Sequence, residues 1–294
     1  MYAFIINKMS GNGKGQRVWK RVEKTLDHQQ LPFAARFTEG PQHAREIVKD
    51  LVKENVKSII VVGGDGTIHE VANELAYKNI SLGIIPAGSG NDFARCLGVP
   101  MNYLKALERI IANQTKQVDL LHLGQRYCLT VTGIGLDGQV AKNVNNGAYK
   151  KFLNQFRLGG LSYVISLLET LRDYNPTNVH ITIDGKDMTF SKVWLVAVAN
   201  APNYGGGIMI CPDASYDDGF LNLCIVHGIK KWELLRLFPK AYRGKHTTEK
   251  HVTFLQGKEV QVISGTPIMV HSDGEQMIES PIHIRIEKDA LRVV

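Results

Sequence analysis

The stretch from Ser58 to Val62, together with the turn at its end, constrains this chain most. Ser-Ile-Ile-Val-Val is a continuous, largely β-branched apolar run, as expected of a strand covered by helices on both faces. It runs into Gly63-Gly64-Asp65-Gly66-Thr67, after which Ile68, Val71, Ala72, Leu75 and Ala76 share one helical face. Glycines let backbone N–H groups approach a phosphate closely, and the helix start supplies partial positive charge. An aspartate there would repel phosphate unless a cation intervened, so Asp65 argues for magnesium. The plainer alternative is a tight turn capped by Asp65 or Thr67.

The rest of the first half repeats this unit. Tyr2 to Ile6 reads as a strand before Ser10-Gly11-Asn12-Gly13-Lys14-Gly15 and a helix around Val18 to Leu26. Phe33 to Phe37 precedes a helix from His43 to Glu54, and Leu82 to Ile85 leads to Pro86 and then Gly88-Ser89-Gly90-Asn91-Asp92. Strands alternating with helices imply a doubly wound parallel α/β sheet, whose ligands bind at the C-terminal strand edge. Three small-residue turns fall at that edge. None matches the P-loop pattern, and the first is G-x-G-x-G rather than the dinucleotide G-x-G-x-x-G.

The rhythm changes near residue 122, giving domains at 1–122 and 123–294, with the last strand able to return to the first domain. His180 to Ile183, Asp184-Gly185 and Lys186 to Phe190 read as a hairpin with a type I′ turn. Further short strands are expected at Val193 to Ala199, Phe220 to Val226, Glu259 to Ile263, Ile268 to His271, Ile282 to Ile286 and Leu291 to Val294. A helix from Leu161 to Tyr174, with Leu161, Val164, Ile165, Leu168 and Leu171 on one face, interrupts this mainly antiparallel β domain.

Hydrophobic residues make up 44% of the 294 and charged residues 21%, which excludes a disordered chain. The net charge of +7 suits anionic partners. No apolar run approaches the ~20 residues of a membrane-spanning helix, and no charged leader precedes the first strand, so a cytoplasmic protein is expected. Cys96, Cys128, Cys211 and Cys224 lack metal-ligand spacing and read as reduced core thiols. Between Lys230 and His251 lie seven Lys or Arg, two acids, and Trp232, Leu234, Leu235, Leu237, Phe238 and Tyr242. That mixture fits either an interfacial segment on an anionic bilayer or a helix packed on the β domain with a solvated basic face. Lys142, Lys150, Lys151 and Arg157 form a weaker second cluster. No nucleic-acid-binding module is present.

Taken together, Asn7 to Gly11, the Gly63 to Thr67 turn and Gly88-Ser89-Gly90-Asn91-Asp92-Phe93-Ala94 resemble the diacylglycerol kinase catalytic domain. Gly133-Ile134-Gly135-Leu136-Asp137, Asn200-Ala201, Tyr204-Gly205-Gly206-Gly207, Pro212-Asp213, Asp217-Asp218-Gly219 and Asp273-Gly274-Glu275 extend the likeness to soluble bacterial lipid kinases over nearly the whole chain. Two departures stand out: Lys8 where the family usually has proline, and His69 where it has asparagine. The resemblance implies a phosphofructokinase- and NAD kinase-like α/β domain, a β-sandwich, and an ATP site in the cleft between them. It assigns nucleotide contacts to Asn7, Lys8, Met9, Ser10, Gly11, Thr38, Gly63, Gly64, Asp65, Gly66, Thr67, Glu70, Gly88, Ser89 and Asn91. It places magnesium at Asp218 and Asp217, with Ser215 and Phe220 as neighbours and a water-linked path to Asp65. Glu275 is the implied proton acceptor, supported by Asp273. Read by themselves, Asp213 to Asp218 and Asp273 to Glu275 are also ordinary turn sequences.

The expected activity is transfer of the γ-phosphoryl of ATP to a lipid hydroxyl, with diacylglycerol foremost. The expected partners are that lipid and a peripheral contact at the inner membrane face, with a homodimer left open. Two rivals stand beside it: an NAD kinase, which shares Gly-Gly-Asp-Gly, and a non-catalytic relative that binds nucleotide or lipid.

Overall fold

The computed structural model describes residues 2–146 and 159–294, and for 141, 142, 144–146, 159–165 and 276–278 the backbone alone. Two compact units emerge: one runs to Leu120 and takes in Lys288–Val294, and the other is Leu121–Glu287.

The first unit is a parallel sheet built from β1 (Tyr2–Ile6), β2 (Phe33–Phe37), β3 (Ser58–Gly63) and β4 (Ser81–Pro86). β1 lies between β2 and β3, and β4 flanks β3, all parallel and in register from Tyr2↔Ser58 and Ser58↔Ser81. Every residue of β3 and β4 is buried, which explains their unbroken apolar runs. The helices are α1 (Ser10–His28), α2 (His43–Lys53), α3 (Asp65–Leu75), α4 (Asp92–Cys96) and α5 (Tyr103–Ala112). α1 packs Trp19 on Phe4, ring centroids 5.2 Å apart. Its opening is not regular helix: Gly11, Asn12 and Gly13 have φ of 57°, 55° and 77°, the left-handed region. The end of the last strand, β15 (Ile282–Val293), joins this unit by pairing Val293 with Leu82.

The second unit is a mainly antiparallel β-sandwich: the end of β5 (Lys116–Leu123), β6 (Arg126–Cys128), β7 (Val131–Gly135), β8 (Thr177–Ile183), β9 (Lys186–Ala199), β10 (Leu221–His227), β11 (Val252–Gly257), β12 (Glu259–Ser264), β13 (Met269–Ser272), β14 (Glu275–Glu279) and the first half of β15. The strand order β14-β13-β7-β9-β8-β12-β15 is joined by β10 on β9, β11 on β10, and β6 on β5. Helices α6 (Leu136–Asn146), α7 (Gly159–Asp173) and α8 (Lys231–Ala241) complete it. Alternation along β9 and β10 divides two cores: Val196, Val198, Leu223 and Ile225 enter one, Ala197, Ala199, Cys224 and Val226 the other.

The Asp184-Gly185 hairpin forms with φ of 47° and 77°, as a type I′ turn needs. Three readings are corrected. Lys186 to Phe190 and Val193 to Ala199 are one strand, β9, because Lys192 takes φ 52° at an irregularity and the pairing resumes beyond it. Likewise Ile282 to Ile286 and Leu291 to Val293 belong to one strand, β15, and Val294 lies just beyond its end. On α7, Leu167 and Leu171 are buried while Leu168 is 49% exposed, so the apolar face is turned from the one expected. Side chains of Leu161, Val164, Ile165 and Lys142, and all of Lys150, Lys151 and Arg157, lie outside the described residues. Strands β5, β6, β7, β11 and β14 have no counterpart among the strands expected from the sequence. The four cysteines are unbridged thiols, three of them buried.

Candidate active site

In the first unit the three Gly-rich turns meet at the C-terminal edge of the parallel sheet. Asn7 ties two of them: its Oδ1 accepts from the Met9 and Ser10 amides, each at 3.1 Å, and its Nδ2 donates to Thr67 Oγ1 at 2.9 Å. Asp65 ties in the third, its Oδ2 accepting from the Asn91 amide at 2.7 Å. Asn91 closes its own turn by accepting from Gly88 N at 2.8 Å and donating to Gly88 O at 2.9 Å. The backbones touch: a Cβ on Gly64 would lie 2.9 Å from Gly88 Cα and 3.1 Å from Ser10 Oγ, so no larger residue fits.

The remaining residues of this half are less uniform. Gly66 and Ser89 are exposed, as is Met9, and Thr38 sits at the same strand edge, its amide donating to Ile6 O at 3.0 Å. Lys8 carries its ammonium 4.0 Å from the Phe37 ring centroid, a cation–π contact. Glu70 is 8% exposed and accepts from the Gln42 and Ala44 amides at 3.0 and 3.1 Å. It caps the start of α2, so its carboxylate has a structural occupation.

Asp65 and Asp92 both border Gly90: a Cβ there would stand 2.9 Å from Asp65 Oδ2 and 3.4 Å from Asp92 Oδ2. Two carboxylates around a residue without a side chain make an oxygen-only cradle that suits magnesium, which needs one or two protein carboxylates beside water and phosphate oxygens. Among the described residues no group of three or more His, Cys, Asp or Glu forms a full metal cage.

In the second unit Asp273 and Glu275 have different surroundings. The Asp273 carboxylate accepts from Leu129 N at 2.8 Å, Thr130 N at 2.9 Å and Thr130 Oγ1 at 2.7 Å. It also receives the Cys128 thiol at 3.3 Å, and burial, then the Asp273 charge, pushes that thiol's pKa well up. Asp273 therefore fixes the Asp-Gly-Glu turn, with φ of 49° and 81° at Asp273 and Gly274. Glu275 opens β14 with its side chain 33% exposed and Arg126 4.0 Å away. In the acidic loop, Ser215 Oγ donates to Asp217 Oδ1 at 2.6 Å and Phe220 N to Asp218 Oδ1 at 2.9 Å.

The second unit also holds an apolar cavity, walled by α6, α7, α8 and the Tyr204–Ile210 segment. Val140, Leu171, Leu195, Ile208, Leu234 and Phe238 line it, and among the described residues Asp137 is the single charged one in the lining. Asp137 is 2% exposed, and its Oδ2 accepts from Tyr204 Oη at 2.7 Å and meets His271 Nε2 at 3.0 Å. Gly133 makes room for this meeting, since a Cβ there would collide with both Asp137 and His271. Asp137 and Tyr204 stand inside conspicuous glycine motifs, which was their only sequence signal. His271 had none.

Comparison with known proteins agrees with this construction. Residues 1–123 match the diacylglycerol kinase catalytic domain, and residues 130–294 match the YegS C-terminal NAD kinase beta sandwich-like domain. The chain is 31% identical to "Putative lipid kinase YtlR" of Bacillus subtilis, over 99% of this chain and 98% of that protein. It is 29% identical to a diacylglycerol kinase of Mycobacterium tuberculosis, over 99% and 93%. A crystal structure titled as a putative diacylglycerol kinase from Bacillus anthracis superposes with a TM-score of 0.82 at 27% identity, covering 100% of this chain and 96% of that one. With both domain models matched and relatives aligned end to end, the chain belongs to the diacylglycerol kinase family of lipid kinases.

Proposed function

We propose that this lipid kinase moves the γ-phosphoryl of ATP to the hydroxyl of diacylglycerol or a closely related glycerolipid, with magnesium. The observation that carries the reading is the meeting of three Gly-rich turns at the start of α3, locked by Asn7, Asp65 and Asn91. Backbone N–H groups there can cradle a polyphosphate, and the α3 N-terminus adds to the attraction. The apolar cavity supports a lipid acceptor over a soluble dinucleotide, since hydrocarbon gains from dry walls and a nucleotide does not.

Glu275 is the group we assign to take the lipid hydroxyl's proton as its oxygen attacks the γ-phosphorus and ADP departs. Asp273 orients that turn from behind. Asp65 and Asp92, and in the second unit Asp218 and Asp217 with Ser215 and the Phe220 backbone, are the oxygen donors available to magnesium. When bound, magnesium supplies neutralisation of the phosphate charge. Lipid supply places the enzyme at a membrane surface; no described helix is long and apolar enough to cross one.

Radiolabelled ATP presented with dispersed diacylglycerol, with soluble NAD as a control, tests this. Label should pass to the lipid only with magnesium. Glu275→Gln and Asp65→Ala should each lower turnover by about 10²-fold or more, the range for loss of a general base or of transition-state charge control. Full turnover in both variants, or transfer to NAD instead, would overturn the assignment.

A further inference from the structure

α8 shows two faces with different chemistry. Leu234, Leu237 and Ala241 are buried, whereas Trp232 is 51% and Leu235 39% exposed. Around the outward side, Arg236, Pro239, Lys240 and Arg243 are also exposed, and Tyr242 follows at 36%. The exposed surface is thus neither the plain solvated basic face nor a plain apolar stripe; cations and apolar groups alternate along it. The Arg236 guanidinium stands 4.5 Å over the Trp232 ring, presenting ring and charge together.

Leu235 both is exposed and lines the apolar cavity, so the cavity reaches the surface on this same face. Pro239 lies inside the helix and lacks the N–H that would bond to the Leu235 carbonyl, so the helical ladder is broken beside this opening. Lys231 Nζ donates to Arg172 O at 2.8 Å, tying α8 to α7, which supplies Leu167 and Leu171 to the opposite wall.

We propose that α8 is the bilayer-docking element of this protein: its outward face seats on an anionic lipid surface and brings the opening at Leu235 against the acyl layer. This rests on the lipid kinase reading and adds to it the surface through which the lipid arrives. Trp232, Leu235 and Tyr242 enter the headgroup–acyl boundary while Arg236, Lys240 and Arg243 meet lipid phosphates. A protein partner would also cover an exposed apolar strip, but the net positive charge, and an adjoining cavity built of hydrocarbon, fit a lipid surface better.

The experiment is vesicle binding by the intact protein, with tryptophan emission as a second readout. Of three tryptophans, Trp19 and Trp194 are 3% and 2% exposed, so Trp232 dominates any change. Vesicles containing phosphatidylglycerol should shift emission to the blue and bind the protein; pure phosphatidylcholine vesicles should bind at least about tenfold more weakly, and salt should release the protein. Arg236→Glu with Arg243→Glu should lower binding at least about tenfold and lower turnover of vesicle-borne diacylglycerol in parallel. Turnover of a short-chain, monomeric diacylglycerol should stay within about twofold, which shows that the variant is folded and separates docking from catalysis. Trp232→Ala should weaken binding without altering its salt dependence. Unchanged binding in both variants, or no preference for the anionic vesicles, overturns the docking role. Absence of turnover in the unaltered protein would instead sink the kinase reading, whatever binding shows.

Discussion

At the scale of single residues, position in the fold separates side chains that look alike in the sequence. Asp65 and Asp273 both sit in Asp-Gly turns, yet Asp65 borders a cradle shared with Asp92, while Asp273 spends its oxygens on the Leu129 and Thr130 amides and the Thr130 hydroxyl. Removing the Asp273 carboxylate leaves those buried donors unsatisfied. Asp273→Ala should therefore cost about 2–4 kcal/mol, from hydrogen bonds to a charged group worth about 1.5–3 kcal/mol each and far from additive. Urea unfolding measures this, and a loss below 1 kcal/mol (roughly, the size of a surface change) would show that the carboxylate does not hold the turn. Glu70, which the resemblance counts among the nucleotide contacts, likewise caps the start of α2. Such assignments were illegible because the amides involved lie 26 and 28 positions away in the chain.

At the scale of elements, continuous apolar runs and turn chemistry were legible, as β1, β2, β3, β4 and the Asp184-Gly185 hairpin show. β9 was not legible as one strand, because Phe190 to Val193 contains Ser191 and Lys192, which look like a break. Pairing with β8 on both sides of Lys192, and with β7 and β10 beyond it, carries the strand through. Lys192 remains at φ 52°, where a Cβ is strained, and its amide donates to Asn178 Oδ1 at 3.1 Å. Lys192→Gly should stabilise the protein or leave it unchanged, within about 1 kcal/mol, while Lys192→Val should destabilise it by about 1–2 kcal/mol. Thermal unfolding of the two variants side by side gives the order, and the reverse order would show that the irregularity is not strained. Helix α8 is the other instructive element: its composition allowed two readings, and the structure packs Leu234 and Leu237 inward while leaving Trp232 and Leu235 exposed among its cations, a mixed face that no count of residues shows.

At the scale of the whole molecule, titration should reveal how burial is distributed. His246 is 1% exposed, with Nε2 donating to Ile210 O at 3.0 Å, and burial pulls its pKa below the usual value. His227 is lowered too, by burial first and then by the charge of His251. The unfolded chain takes up these protons near the ordinary histidine value of about 6.5, and the folded protein resists them. Stability should therefore be full above pH 7 (about half a unit above that value) and decline as pH falls below it, until the folded-state values are passed. Urea unfolding at pH 7.5 and 5.5 (about one unit either side) checks the sign. Replacing both histidines with Gln should shrink the difference, and a protein more stable at the lower pH would refute it.

The sequence by itself determined the local units: which runs are buried strands, where glycine permits a turn, and which ordered set of motifs marks this family. These depend on neighbours in the chain, on side-chain periodicity and on backbone freedom. Only the tertiary structure decided which turns touch, that Asp137, Tyr204 and His271 meet across 67 and 134 positions, and that α8 closes one wall of an apolar cavity. Those outcomes depend on strand register and on which helix face packs inward. Both are set by the sum of many weak contacts across the fold, and no short stretch of residues encodes that sum.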